Sequence, residues 1–125
     1  MFELTIKEEV YQFHFGMGFM REINKKVSVP VDGLPNVKKN IGLQYYVASV
    51  IDGDLEALAD VLDAANMGMK PRITKNLFDY YIDEECSDVE ALFADVMGFL
   101  QSANATKKTV ALLLEQVEAQ KKQAK

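Results

Sequence analysis

The chain has no tryptophan, one cysteine, one histidine and three prolines in 125 residues. A lone cysteine excludes an internal disulfide framework. One histidine beside one cysteine excludes the usual zinc clusters, so no metal or cofactor is expected. Basic residues are the minority, 14 against 19 acidic, for a net charge of -5. Binding to nucleic acid normally needs a basic field that displaces counterions from phosphates, so that partner class is disfavoured. Long apolar runs are also missing. The longest uncharged stretch, Asn40 to Ile51, is too short to cross a bilayer as a helix. Met1-Phe2-Glu3-Leu4 carries a carboxylate where a secretory signal has a basic region, so an intracellular, soluble protein without membrane contact is expected. Asn104-Ala105-Thr106 then reads as a chance sequon.

What is present is an apolar fraction of 49% with 26% charged residues, the balance of a globular chain. Its length allows one core and one domain. Phe2, Leu4 and Ile6 alternate with Glu3, Thr5 and Lys7, and Tyr11, Phe13 and Phe15 alternate with Gln12 and His14. Two period-two runs around a polar link predict a β-hairpin over 2–15, although no Asn-Gly or Asp-Gly fixes its turn. A lone hairpin is marginal in water, so its aromatic face must lie on helices. Phe19, Met20, Ile23 and Val27 have helical spacing and predict a helix over about 17–27. Val29 to Leu34-Pro35, broken by Pro and Gly, reads as the one long connection.

Further helices are expected at about 37–51, 54–66, 74–84, and 88–120 as two, with 121–125 a frayed polar tail. The fold class is therefore α+β, predominantly helical, with one compact domain over 1–120. The helix over 37–51 carries Ile41, Leu43, Tyr46, Val47 and Val50 on nearly every side, which places it in the centre of a core or against a partner chain. Gly53 and Asp54 are a stop and an N-cap, and Ser87-Asp88-Val89-Glu90 reads as a capping box.

Chemistry-bearing residues are few. Gly16-Met17-Gly18 lacks the third glycine of a dinucleotide-binding turn, and no βαβ pattern follows. His14 lies on the polar side of its strand, without an orienting partner in view. Cys86 is flanked by Glu85 and Asp88, whose charge disfavours a thiolate. Asp83, Glu84, Glu85 and Asp88 lack the spacing of a cation loop and read as a solvated linker ahead of a helix. No catalytic, cofactor-binding or metal-binding residue is expected, and the chain is not read as an enzyme.

Apolar residues outside the stripes are more informative. Leu112 points away from Val110, and Phe99 is expected to face away from the stripe of Val89, Leu92 and Leu100. Together with the helix that is apolar all round and the Met67/Met69 loop, they suggest self-association or a helical client. The residues expected at such contacts are Leu43, Tyr46, Val50, Met67, Met69, Phe99 and Leu112. A generic acidic adaptor or inhibitor that binds a single partner is the alternative.

A family resemblance rests on the order of short motifs. Phe13-His14-Phe15-Gly16 ends the hairpin, Ile23-Asn24 ends the first helix, and Gly42-Leu43 and Gly53-Asp54-Leu55 follow. Ile73-Thr74, Tyr81-Ile82-Asp83 and a final helix opening at Lys107-Lys108 complete the series. In that order the chain resembles the tail assembly chaperones of long-tailed (siphovirus-like) phages and prophages of Gram-positive bacteria. The resemblance implies a non-enzymatic protein of the host bacterial cytoplasm that coats the helical tape measure protein before the tail tube polymerises around it. It also implies a homo-oligomer, in spiral form, and a frameshifted longer form of the protein. Lys121-Lys122 is compatible with a slippery A-rich run in the gene.

Overall fold

The computed structural model describes residues 1–123. Strands β1 (Phe2–Ile6) and β2 (Glu9–Phe13) form an antiparallel hairpin in which Phe2 faces Phe13 and Leu4 faces Tyr11. Phe2, Leu4, Ile6, Tyr11 and Phe13 are buried, while Glu3 and Thr5 face water, the alternation that the pleat imposes. The tight turn uses Lys7 and Glu8, both with positive φ (51° and 68°). Neighbours hold this costly conformation. The Lys7 amide donates to Glu85 Oε1 at 2.9 Å, and the Lys7 ammonium lies 4.5 Å from the centre of the Tyr80 ring.

Helix α1 (Met17–Asn24) is followed by a second antiparallel hairpin, β3 (Ser28–Val31) with β4 (Leu34–Asn40). The remaining elements are α2 (Gly42–Ile51), α3 (Leu55–Asn66), α4 (Lys75–Tyr80), a π-helical turn (Tyr81–Glu85), α5 (Val89–Ser102) and α6 (Lys107–Gln123). The fold is α+β and predominantly helical, with the N-terminal hairpin laid on the helices.

Several boundaries differ from the sequence reading. Residues 37–40 are strand, not helix, and the expected connection from Val29 to Pro35 is a β-hairpin that turns at Gly33 (φ 77°). Helix α2 starts only at Gly42. There the Asn24 side chain, from the end of α1, accepts the free amide of Leu43 at 3.2 Å. Helix α1 stops at Asn24 rather than near Val27, because Val27 already accepts the Ile41 amide (2.8 Å) at the root of the second hairpin. The cap of α5 is Asp88, which accepts from the Ala91 amide at 3.1 Å, so the capping box on Ser87 does not form. Helix α6 runs on to Gln123, past the expected end at about 120, and 124–125 of the expected polar tail lie outside the described residues.

Helix α2 is central. It packs on α1, α3, α5 and α6, burying Leu43, Val47 and Val50, and this enclosure accounts for its all-round apolar surface. From α3, Ala57, Leu58, Val61, Leu62, Ala64 and Ala65 enter the core, and Asp54 caps the helix by accepting from the Glu56 and Ala57 amides. The break between α5 and α6 is closed by Thr106, fully buried, whose hydroxyl donates to the Leu100 carbonyl at 2.6 Å.

Candidate interaction surfaces

The residues expected at partner contacts separate into two groups. Leu43 and Val50 are buried in the core and have no surface to offer. Phe99 is half-buried beneath the first hairpin, its ring 5.4 Å from Phe2 and 6.0 Å from Phe15. Ten residues past Val89 at about 100° each leave Phe99 about 80° off the stripe, at its margin rather than opposite it. Tyr46 is half-buried beside Asp60; burial first, and then that carboxylate, push its phenol pKa up. Met69 is half-buried, whereas Met67 and Leu112 are exposed, Leu112 at 52%.

The chemistry-bearing residues are dispersed. His14 is exposed, and its backbone amide donates to Ala65 at 2.8 Å. Cys86 is half-buried against Tyr81, whose phenol pKa is raised by burial first and then by the thiol and nearby carboxylates. Among the described residues, no group of three or more His, Cys, Asp or Glu side chains could hold a metal ion. A hollow of about 110 Å³ between α3 and α4 is floored by Ile73 and Phe78 and edged by Asp60, Asp63 and Lys75. A site for a small organic ligand ordinarily needs about 300 Å³ or more. Nor is any described helix long and apolar enough to cross a membrane.

Three outward-facing features remain. The second hairpin is an arm. All of β4 and most of β3 are exposed, including Val29, Leu34 and Val37. Along α6, Ala111, Leu114 and Ala119 line an open groove of about 530 Å³ edged by Glu115 and Glu118. Among the described residues, α6 rests on the core through Val110, Leu113 and Leu114. Between the start of α3 and α4 lies a third hollow of about 220 Å³, with Leu55, Phe78 and Ile82 as its apolar lining and Glu56, Asp79 and Asp83 at its edge.

Exposed apolar surface on separate elements is the anatomy of a protein that works by contact. Over residues 3–115 the sequence matches the family described as phage tail assembly chaperone protein, TAC. The chain belongs to this family. Comparison with curated proteins and with solved structures finds no match. Membership of a chaperone family suggests a non-enzymatic role. The matched span takes in both hairpins and α1 to α5, and it ends inside α6.

The sequence reading missed the arm and the hollow beside Leu55. Its signal for the arm was available: Val29 and Val31 flank Pro30, and Asp32-Gly33 is a hairpin turn pair. Leu55 gave no signal, because at the first position of α3 it continues the apolar stripe of Leu58 and Leu62 by spacing alone.

Proposed function

We propose that this tail assembly chaperone self-associates and coats the long, helical tape measure protein, keeping it soluble until the tail tube polymerises around it. The setting is the host cytoplasm, for a long-tailed phage or prophage of Gram-positive bacteria. The observation that carries the reading is the distribution of exposed apolar residues over the arm, α2, α3 and α6: Leu34, Val37, Tyr45, Leu55 and Leu112. A long client that exposes apolar helical stripes is covered by many shallow contacts, not by one pocket. Oligomerisation multiplies such weak contacts, and each stays reversible when the tube displaces the carrier. The open α6 groove, apolar between Glu115 and Glu118, has the form that receives an amphipathic helix.

Co-expression with the tape measure protein tests this. The client is expected in the soluble fraction, bound to several copies of the chaperone, and in the pellet without it. A client whose solubility is indifferent to the chaperone would overturn the reading. The frameshifted longer form is checked in the gene, where a slippery heptamer is expected near the codons for Lys121-Lys122.

A further inference from the structure

The second hairpin extends from the fold without support. The seven residues of β4 span about 23 Å, yet neither face of the hairpin is covered, since all of β4 and Ser28, Val29 and Pro30 are exposed. A two-stranded hairpin alone is marginal in water. Val29 pairs with Lys39 across the ladder, and Val37 lies two residues before Lys39 in β4, so one face combines apolar and cationic groups. Lys26, Lys38 and Lys39 against Asp32 give residues 26–40 a net +2, which leaves -7 on the rest of a chain of net -5. Acidic residues concentrate elsewhere: Asp79, Asp83, Glu84, Glu85, Asp88 and Glu90 fall in twelve residues without one basic side chain.

We propose that the arm of one copy docks in the hollow beside Leu55, between the start of α3 and α4, of a second copy, and that this head-to-tail contact builds the oligomer. The hollow matches the arm in both respects. Leu55, 38% exposed, and Ile82 offer apolar surface, and Glu56, Asp79 and Asp83 surround it with negative charge that faces Lys39 on the Val29/Val37 side of the arm, while Lys38 on the other side adds to the arm's positive field. Arm-to-arm pairing is disfavoured, because it brings like charges together and because Pro30 and Pro35 leave donors missing along the strands. Two different patches on one chain make a heterologous contact, which propagates into a ring or an open helix instead of stopping at a dimer. The inference rests on the self-association proposed above and names its two surfaces.

The test is charge reversal on the full chain, read by sedimentation over a range of concentrations. Wild type is expected to grow with concentration, and to do so less at high salt. K38E/K39E and D79K/D83K should each remain monomeric, because each sets like charges against one another. Mixed, the two variants should co-assemble, since each supplies the complement of the other. K107E/K108E, with the same change in net charge at exposed positions of α6, should assemble as wild type does. Association by K38E/K39E alone equal to wild type, or a mixture that stays monomeric, would overturn the proposal. Circular dichroism of each variant establishes that it is folded, and the co-assembly of the mixture is a gain that misfolding does not produce. The same samples are assayed for client solubility. A monomeric wild type that still solubilises the tape measure protein overturns the docking but leaves the chaperone reading intact. Assembly unchanged with client binding lost in K38E/K39E makes the arm a client surface and likewise overturns it.

Discussion

The side-chain amide of Asn66, fully buried at the end of α3, donates to the main-chain carbonyl of Gln12 in β2 at 2.9 Å and so ties the first hairpin to the helices. Its second proton goes to the Pro71 carbonyl (3.2 Å), and its oxygen accepts from the Ile73 amide (2.7 Å) and the Arg72 guanidinium. All four hydrogen-bonding positions are used. Asn66→Ala strands the buried Ile73 amide and the part-buried Gln12 and Pro71 carbonyls, and is expected to cost about 3 kcal/mol. Asn66→Asp, which keeps the acceptors and loses both donors, should also destabilise. Denaturant midpoints at constant slope check both, and a midpoint for Asn66→Ala near that of wild type would refute the role of this residue.

Gly42 and Gly98 predict opposite outcomes for the same substitution. A methyl group on Gly42 would run into the Ile23 carbonyl, and the Asn24 carbonyl also lies too close to it. Backbone atoms cannot rotate away, so Gly42→Ala should destabilise by about 2 kcal/mol or more through forced separation of α1 and α2. Around Gly98, inside α5, the same methyl meets nothing within 4 Å. Gly98→Ala should therefore stabilise by about 0.5–1 kcal/mol. Thermal melting of the two variants side by side reads the difference in sign.

Phe99 and Leu112 divide stability from association. The contacts of Phe99 with Phe2 and Phe15 make it part of the hairpin's seat, and Phe99→Ala is expected to cost about 2 kcal/mol. Leu112 is exposed, so Leu112→Ser should change stability by no more than about 0.5 kcal/mol while weakening contact with the client. A large stability loss for Leu112→Ser would show that α6 is packed on both sides.

Tyr11, Tyr46 and Tyr81 give the protein an alkaline limit. Burial is the largest cause of the raised pKa in each, followed by Glu9 for Tyr11, Asp60 for Tyr46 and Cys86 for Tyr81. A phenol whose folded pKa lies above its unfolded value of 10.0 contributes stability that is complete below that value and falls as pH rises through the folded pKa. Stability should therefore decline above about pH 10, with tyrosinate absorbance lagging that of the unfolded chain. Coincident titration of the folded and unfolded chains would contradict it.

Much of the fold was legible because it depends on local patterns. Phe2, Leu4 and Ile6 alternate in the sequence and alternate in burial, and Asp54 and Thr74 cap the helices that follow them. The misplacement of 37–51 has a physical cause. Val37 and Ile41 stand four residues apart, which fits a helical stripe equally well as a strand followed by a helix. Periodicity cannot see that Ile41 closes a ladder onto Val27. Similarly, the apolar girth of α2 left its centrality and a partner interface equally open, and only its four packed neighbours decided between them.

By itself the sequence determined what this protein has too little of for catalysis by metal or cysteine clusters, the two strands at its N-terminus, and the family signature that runs through its turns. Tertiary structure decided the rest. Lys7 and Glu8 make a left-handed turn with no glycine because Glu85 and Tyr80, far along the chain, hold it. Phe99 faces Phe2, and Leu43 faces the core, through contacts between segments that no local period encodes. The arm remains outside for the same reason: β3 and β4 satisfy each other, and every residue of β4 stays exposed. Local patterns fix which residues could be buried, and long-range packing fixes which of them are.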